Sequence, residues 1–557
     1  MSLRALARLL LAYALALALA CVAMHEHAAL RELGPDERHV IVSQWAQGQL
    51  VTRRVIDHDE PPATTPAANN PFTTVHEAAI AEGPLSLDPR TFPFALVAGR
   101  DGLVAELDHK TTWLTVDDLL AAQAYDHAST FLDPSLGVGT HRATVLALLS
   151  TRLDAPIDDI EQRAHVKRIR FAAPPPPAPR ITAASLDRAT VEPIVHDTAR
   201  YLARAVDDSG RYRYLVDAIK DLPLGGYSWP RHAGTTYFLA QAAALFDDAE
   251  IRFACLRAAA RLRDDMMQPC GAQRCIADGP DADVGSSALA LVAFTEIVRT
   301  GADASYRTPA IELALFLRSQ QRADGELMHE FDRESGKPVD VQRLYFTGEA
   351  ALALSRAHRM TGDPADLRAA SGALARLSGR GWSFFGSRYY FSEEHWTCQA
   401  MADLWDRAPD AEALAFCLRW HEYQRRLQRG DGDSAFDADG SFGFGPFITP
   451  RVTPASSRGE AAGAALDVLL RDATAAPDDR ARTIALLEDE LARAIAFVAR
   501  AQLRPGPRHL FARPDHVEGA FPGSAVDLQL RVDYAQHAGS MMIRWLELNR
   551  DARAPRQ

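Results

Sequence analysis

The chain lacks concentrated positive charge. Its 557 residues carry 61 Lys and Arg against 73 Asp and Glu, a formal net charge of −12, and no stretch gathers basic residues. Proteins that bind nucleic acids neutralise phosphates with clustered Lys and Arg. We therefore expect no nucleic acid partner.

Short catalytic motifs are absent as well. The sequence contains no Gly-x-Gly-x-x-Gly segment, no phosphate-binding loop and no Gly-x-Ser-x-Gly elbow. These motifs mark dinucleotide-binding folds, nucleotide hydrolases and α/β-hydrolases respectively. None of these classes is indicated, and we expect no cofactor.

Cysteine is scarce, with six residues in the whole chain. Cys270 and Cys275 lie in the short segment QPCGAQRC and predict a disulfide in an oxidising compartment. No cysteine has the spacing of a zinc site, so no metal is expected. Cys255, Cys398 and Cys417 fall inside helical patterns and are interpreted as buried small hydrophobic residues.

No apolar run reaches the roughly 20 residues that a membrane-spanning helix needs. However, Arg4 and Arg8 precede an uncharged stretch, and Ala18-Leu19-Ala20 forms a small-x-small site before Cys21. A basic segment followed by an apolar one is typical of a targeting sequence. We expect residues 1–24 to be a cleaved signal peptide or a membrane anchor, with lipid attachment at Cys21 as a third option. The protein would then be periplasmic, secreted, or held at the inner membrane facing outwards, with the membrane as a partner if the segment is uncleaved.

Composition divides the rest of the chain into four parts. Residues 25–72, rich in Pro, Ala and Thr from 58 onwards, are interpreted as a linker, and 73–171 as a small α+β domain. That domain shows a hairpin and helix pattern, and HVKRIRFA reads as an edge strand. Residues 172–182 contain four consecutive prolines, which exclude a helix and mark a Pro-rich linker. Residues 183–552 are helical.

The helical part repeats, with a period of roughly 50 to 60 residues that exceeds most open helical solenoids. An opening helix is predicted at about 185–206, and five further pairs and a closing helix follow. The first helices of the pairs and the closing helix begin near Ala233, Val284, Thr347, Glu394, Gly459 and Val532. Twelve helices in six pairs can close into a ring that buries both terminal faces. The predicted fold class is therefore mainly α, an (α/α)6 toroid preceded by a small α+β domain and an N-terminal hydrophobic segment.

Three segments carry a resemblance to a known superfamily: YFTGEAALALSRAHRMTGDPADLRAA (345–370), EEHWTCQAMADLW (393–405) and RVDYAQHAGSMMIRWLEL (531–548). The chain resembles the (α/α)6 toroids of glycoside hydrolases, polysaccharide lyases and sugar epimerases. Its pattern is nearest to the C-terminal helical domain of glucuronyl C5-epimerases. The resemblance implies a fold and a site at the mouth of the ring, and fold alone does not assign a reaction.

The starts of the predicted inner helices are unusually polar and aromatic. In a toroid these starts share one funnel, where helix dipoles favour anions. Hydrolysis would need two carboxylates, and the candidates are Glu349, Glu394 and Asp533. Proton abstraction would use Tyr345, Tyr390, His395 or His537 as the base. The residues proposed to bind substrate are Trp229, Arg231, His232, Tyr237, Tyr390, Trp396 and Arg531.

This mixture suits a carbohydrate, because aromatic rings stack on sugars and arginines pair with uronate carboxylates. We expect an envelope carbohydrate-active enzyme of glycoside hydrolase, lyase or uronate C5-epimerase type, acting on an oligo- or polysaccharide. The alternative is a non-catalytic scaffold or polysaccharide-binding protein of the envelope. A deep cleft that gathers ionisable groups from several helices favours the enzyme, and a ring filled with apolar side chains favours the scaffold.

Overall fold

The computed structural model describes residues 11–13, 15–16, 19, 30–57, 72–125, 139–173, 180–379, 395–430, 437–443, 449–475, 479–504 and 508–550. Its elements are numbered in chain order. The N-terminal region holds strands β1 (Arg31–Glu32), β2 (His39–Ala46), β3 (Gln49–Asp57), β4 (Thr73–Pro84), β5 (Asp101–Leu107), β6 (Lys110–Leu114) and β7 (His165–Phe171), with helices α1 (Val116–Ala121), α2 (Arg142–Leu153) and α3 (Ile157–Arg163).

The C-terminal region is built mainly from helices. These are α4 (Arg188–Arg204), α5 (Trp229–Phe246), α6 (Ala249–Ala260), α7 (Val284–Arg299), α8 (Arg307–Ser319), α9 (Phe346–Thr361), α10 (Pro364–Gly379), α11 (His395–Leu404), α12 (Ala411–Arg425), α13 (Val452–Arg471), α14 (Arg480–Ala501), the single turn α15 (Pro514–Val517) and α16 (Val532–Leu548). Its strands are β8 (Leu215–Asp217), β9 (Leu222–Pro223), β10 (Met267–Cys270), β11 (Gln273–Asp278), β12 (Asp281–Asp283), β13 (Glu330–Asp332), β14 (Lys337–Val339) and β15 (Gln529–Arg531).

Six helices form a closed inner ring. Each of α5, α7, α9, α11, α13 and α16 contacts the next, and α16 returns to contact α5. The helices α4, α6, α8, α10, α12 and α14 lie outside them. This closure confirms the predicted (α/α)6 toroid of twelve helices.

Burial differs between the two rings in the way that the sequence pattern predicts. In α7 every residue from Val284 to Ile297 is buried, because an inner helix is covered on all sides. The outer helix α14 buries only one face in its first half, as an amphipathic surface helix does, and is buried all round from Ala494 to Ala499. Glycines allow the inner helices to approach: a Cβ built on Gly459 would lie 2.1 Å from the Met541 Sδ, and one on Gly539 would lie 2.2 Å from the Phe238 ring.

Several of the helices begin at a capping aspartate. Asp187, Asp248, Asp283 and Asp410 each accept a hydrogen bond from a backbone N–H in the first turn of α4, α6, α7 and α12. Such caps satisfy donors that a helix start leaves unpaired. They explain why these starts could be located from sequence.

The N-terminal sheet is antiparallel, with the order β3-β2-β4-β7-β5-β6 and β1 added alongside β4. Two predictions are corrected here. Residues 25–72 are not a linker throughout, because β1, β2 and β3 occupy 31–57, with a turn at Gln47 and Gly48, both at positive φ, between β2 and β3. The segment HVKRIRFA is not an edge strand, because β7 lies between β4 and β5.

The sheet region is joined to the toroid through the segment before α16. The His509 Nε2 lies 2.6 Å from the Asp117 Oδ2, and the Gly48 N–H donates to the His509 carbonyl at 2.9 Å. The Trp45 ring packs on the His509 ring. The two regions therefore share a defined contact at His509.

Two short sheets lie beside the starts of inner helices. The order β10-β11-β12-β13-β14 forms one sheet, and β12 ends at Asp283, where α7 begins. The order β15-β8-β9 forms the other, and β15 ends at Arg531, where α16 begins. Both sheets therefore place residues at the mouth of the ring.

Four cysteines form two disulfides. Cys270–Cys275 joins β10 to β11, in agreement with the prediction. Cys398–Cys417 links α11 to its outer partner α12, so the interpretation of these two residues as separate buried hydrophobic groups was wrong. Their separation of 19 residues gave no local signal, because the pairing depends on the packing of two helices. Cys255 is buried as a free thiol.

Of the targeting segment 1–24, the structure describes only 11–13, 15–16 and 19. Among the described residues, no helix combines the length and hydropathy that crossing a membrane requires. The Pro-rich segment 174–179 lies outside the described residues.

Candidate active site

The inner ring brings ionisable side chains from four helices to one place. Glu349 comes from the first turn of α9, His395 from the start of α11, Glu460 from α13 and His537 from α16. Each of the first three is at most 4% exposed. Side chains so far apart in sequence meet because the inner helices begin at the same mouth of the toroid.

Glu349 is a buried carboxyl group without a balancing charge in contact. Its Oε2 has no hydrogen-bond partner among the described residues. Burial raises its pKa to about 8, and the nearby Asp283 carboxylate adds to the rise, while His537 and Arg231 oppose it. At neutral pH Glu349 is therefore mostly protonated and can donate a proton.

A glycine, Gly285, lies against the Glu349 side chain. A Cβ built on Gly285, in the first turn of α7, would lie 2.7 Å from the Glu349 Oε2 and 2.3 Å from the Phe346 ring. A glycine at this position therefore lets both groups pack directly against the α7 backbone.

His537 is oriented by a carboxylate. Its Nδ1 lies 2.7 Å from the Glu460 Oε2. Burial raises the pKa of Glu460, and the attraction to His537 works against that rise. The His395 ring packs edge-on against the His537 ring, with centroids 5.2 Å apart. One donor atom each from His395, Glu460 and His537 lie within 4.8 Å of one another, a set that a divalent ion could also use.

Asp533 holds two arginines. It accepts from Arg531 at 2.5 and 2.9 Å, and its Oδ2 lies 3.2 Å from the Arg231 Nε. Burial alone would raise the pKa of Asp533, but the two guanidinium groups hold it below its usual value. His537, four residues further along α16, pairs with Glu460 and not with Asp533.

Two residues proposed to bind substrate face the protein interior. His232 is fully buried, with Nδ1 2.7 Å from the Tyr227 hydroxyl and Nε2 3.0 Å from the Ala258 carbonyl. Burial lowers its pKa to about 4, so it stays neutral. Tyr237 lies two turns into α5, where its hydroxyl accepts from Arg356 at 3.0 Å. Both side chains therefore make contacts within the protein, and their roles in substrate binding stay predictions.

The remaining aromatic candidates surround the histidines. Trp396 is buried, with its ring centroid 4.6 Å from that of His395. The Tyr345 ring lies 6.5 Å from the His395 ring at the start of α9. Trp229 is 8% exposed, and its Nε1 donates to Asp278 at 2.8 Å. Trp229 and Trp396 therefore contribute packing more than an open stacking face.

Glu394 and Tyr390 lie outside the described residues, so their proposed roles stay predictions. Glu460 and Asp283 were not among the predicted site residues. Asp283 caps α7 by accepting from the Ser286 N–H. No sequence spacing relates Glu460 to His537, 77 residues away. Only the ring brings that pair together.

The hole of the ring is polar beneath this group. A cavity of about 10 Å³ is lined by Tyr237, Gln241, Gln399, Glu460, Ser540, Arg544 and Glu547. No leucine lines it, and its volume leaves room for about one water molecule.

An open cleft of about 410 Å³ lies at the mouth above α7. It is lined by Asp281, Ala282, Asp283, Glu330, Arg343 and Phe346. Phe346 lines this cleft and also packs against Gly285, where the Glu349 Oε2 lies. Glu349 itself is not among the residues that line the cleft.

No family model matches this chain, and no curated protein matches it either. Solved structures do. A D-mannose isomerase matches at 11% identity and a TM-score of 0.48, over 64% of this chain and 97% of that one. The cellobiose 2-epimerase of Bacillus thermoamylovorans B4167 matches at 11% identity and a TM-score of 0.47, over 65% and 100%. An unsaturated glucuronyl hydrolase specific for heparin matches at 12% identity and a TM-score of 0.45, over 65% and 99%. At such identities the likeness concerns the course of the helices and not the chemistry of this chain.

Proposed function

We propose that this chain is a carbohydrate-active enzyme that moves protons to and from a sugar, as epimerases, isomerases and lyases do. One observation carries the proposal. The mouth of the ring holds a protonated buried carboxyl group, Glu349, beside a histidine that a second carboxylate orients. An acid and a base held ready at neutral pH are the requirement of general acid–base catalysis.

The roles follow from the hydrogen bonds. When the His537 Nδ1–H donates to Glu460, the Nε2 carries the lone pair that accepts a proton from a sugar C–H. Glu460 stabilises the imidazolium that forms. Glu349 donates its proton to the sugar oxygen on which charge develops, and the water-poor floor strengthens this interaction. His395 packs against His537 and fixes the plane of its ring.

Hydrolysis is the second candidate, and a different observation favours it. The pKa of Glu349 is raised and that of Asp533 is lowered, which is the division between the acid and the base of a glycosidase. Asp533, however, already accepts from Arg531 and lies beside Arg231. Hydrolysis would require Asp533 to leave these arginines, whereas proton transfer by His537 would not. We therefore prefer proton transfer to hydrolysis.

The location is proposed as extracytoplasmic. The basic and apolar leader supports export, and two disulfides support an oxidising compartment.

The test uses the protein without residues 1–24 and follows the incorporation of isotopes from solvent into sugars. Neutral, amino and uronate oligosaccharides are incubated in D₂O and, separately, in H₂¹⁸O, and the sugars are analysed by mass spectrometry and NMR. Deuterium bound to sugar carbon, lost in both Glu349→Gln and His537→Gln, supports the proposal. Glu250→Gln, on the outer helix α6, is the matched control and retains exchange.

Two results would contradict this proposal. Incorporation of ¹⁸O without deuterium would indicate a hydrolase instead. If no sugar gained either label, the non-catalytic polysaccharide-binding protein would be the better interpretation. Dialysis against EDTA is a further arm, expected to leave exchange unchanged because the His537 Nδ1 is engaged by Glu460. Loss of exchange on chelation would place an ion at His395, Glu460 and His537.

A further inference from the structure

A second polar layer lies one helical turn below the histidines of the candidate site. Gln399 follows His395 by four residues on α11, and Ser540 follows His537 by three residues on α16. Side chains three or four residues apart lie on the same face of a helix. Gln399 and Ser540 therefore line the cavity in the hole of the ring, beneath the histidines and further from the mouth.

Four polar atoms of the residues at this cavity have no hydrogen-bond partner among the described residues. They come from four inner helices and are the Gln241 Oε1 on α5, the Gln399 Nε2 on α11, the Glu460 Oε1 on α13 and the Ser540 Oγ on α16. Gln399, Glu460 and Ser540 are at most 7% exposed. Buried donors and acceptors without partners destabilise a folded protein, so four of them around one small cavity point to a ligand that bonds them all.

The size and the chemistry of the cavity select a water molecule. A volume of about 10 Å³ accommodates one water and nothing larger. The lining offers two acceptors, the Gln241 Oε1 and the Glu460 Oε1, and two groups that donate, the Gln399 Nε2 and the Ser540 hydroxyl. A water molecule donates two hydrogen bonds and accepts two, so one molecule satisfies all four atoms.

An ion fits the same cavity less well. A cation would lie against the Gln399 amide hydrogens and the Arg544 guanidinium, and an anion would lie against the Glu460 carboxylate. The Tyr237 hydroxyl, also at the cavity, already accepts from Arg356 at 3.0 Å. A neutral ligand that both donates and accepts avoids these conflicts.

Glu460 connects the cavity to the histidines above it. Its Oε2 lies 2.7 Å from the His537 Nδ1, whereas its Oε1 has no partner among the described residues. The terminal torsion of a glutamate is broad, so a carboxylate held at one oxygen alone is poorly fixed in its plane. A water that donates to Oε1, and is itself held by Gln399 and Ser540, fixes that plane and the direction of the bond to His537.

We propose that the hole of the ring binds one water molecule through Gln241, Gln399, Glu460 and Ser540, and that this water positions Glu460 for its hydrogen bond to His537. The binding of the water depends on no activity. Its effect on catalysis rests on the proposed function, in which Glu460 stabilises the imidazolium form of His537. Gln399 and Ser540 are then positioning residues that do not touch the sugar.

A high-resolution crystal structure of the protein without residues 1–24 tests the site directly. We expect one density peak at about 2.7–3.2 Å from each of the four atoms. A cavity without density would overturn the proposal. So would four side chains that pair directly with one another, or a peak with the anomalous signal or the short contacts of an ion.

Two substitutions of Ser540 separate the loss of a hydroxyl group from the loss of the water. Ser540→Ala leaves the space and three partners, so the water should stay and turnover should change by less than about twofold. Ser540→Val places a methyl group where the water lies, so its crystal structure should show no water and a His537–Glu460 distance above about 3.5 Å. Its kcat should fall about 10- to 100-fold with KM unchanged, because Glu460 is misplaced while the contacts to the sugar remain.

A second pair of variants repeats the comparison with an amide. Gln399→Leu removes a donor to the water and should lower kcat in the same way as Ser540→Val. Gln320→Leu removes a buried amide just beyond the end of α8 and should leave kcat unchanged. Equal turnover of Ser540→Ala and Ser540→Val would overturn the positioning role, as would an unchanged His537–Glu460 bond in a Ser540→Val structure that has lost the water.

The water site and the proposed function can fail separately. The crystal structures need no substrate, so a water bound by the four atoms would stand even if no sugar gained deuterium. Deuterium in sugars together with a dry cavity would retain the proton-transfer enzyme and remove the water.

Discussion

At the residue scale, the chemistry depends on how differently the structure treats similar side chains. Glu349 and Asp533 are both buried acids at helix starts, yet one is protonated and the other is held ionised by arginines. His232 and His537 are both histidines near the mouth of the ring, yet only His537 pairs with a carboxylate. The surroundings of each group, and not its type, decide its role.

Glu349→Gln tests that distinction through stability as well as activity. The raised pKa means that the folded state keeps a proton that the unfolded chain releases above about pH 4.5. Stability therefore falls as pH rises from there through about 8. A neutral glutamine removes this penalty, so at pH 8 the variant should be more stable than the parent by about 4 kcal/mol and should unfold at a higher temperature.

The same variant should lose at least about 100-fold in turnover, the usual scale of a general acid. In the parent, activity should decline as pH rises through about 8, since the donor is then ionised. Thermal denaturation between pH 5 and 9 and the pH profile of turnover check both statements. A variant less stable than the parent at every pH would show that Glu349 is ionised and structurally paired.

At the element scale, the inner helices approach closely only where they carry small residues. Gly285 and Gly372 are both inside helices, but their surroundings differ. A Cβ on Gly285 would strike Phe346 and Glu349, whereas one on Gly372 would make ordinary contacts with the Gln321 side chain at 3.5 Å and the Gly325 Cα at 3.9 Å. The same substitution should therefore have opposite effects.

Gly285→Ala should destabilise the protein by about 1–3 kcal/mol, the range for overpacking, and should reduce turnover by displacing Glu349. Gly372→Ala should stabilise it by up to about 1 kcal/mol, because alanine favours helix over glycine. Chemical denaturation of the two variants beside the parent is the measurement. If Gly285→Ala matched Gly372→Ala in stability and activity, the wall assigned to Gly285 would be wrong.

At the scale of the whole molecule, the outer and inner rings are held together by more than apolar packing. Cys398–Cys417 joins α11 to α12 three residues beyond His395, and Cys270–Cys275 joins two strands of a sheet at the mouth of the ring. A loop of 19 residues closed by a disulfide contributes about 3 kcal/mol in the chain-entropy account.

Reduction should therefore lower the unfolding temperature, and the double variant Cys398→Ala/Cys417→Ala should reproduce most of the loss. Cys255→Ala, which removes the buried free thiol, separates the effect of a lost disulfide from that of a lost side chain. Thermal scans with and without reductant make the comparison. An unfolding temperature independent of reductant would mean that the cysteines are not paired in solution, and it would weaken the proposed export.

The sequence by itself determined the helices and their number. Apolar periodicity is local, so the predicted starts of α4, α5, α7, α9, α11 and α16 lie within a few residues of the observed ones, whereas that of α13 was placed too late. The hairpin of β2 and β3 was missed because the Pro- and Ala-rich stretch after it led the whole of 25–72 to be treated as a linker.

The tertiary structure alone decided the chemistry. The pairing of His537 with Glu460, the isolation of Glu349 behind Gly285 and the burial of His232 each join residues on different helices. Such contacts depend on the rotation of each helix and its height in the ring, which a repeating apolar pattern leaves open. The sequence therefore located the starts of the inner helices, and ring packing decided how the ionisable groups near them are paired.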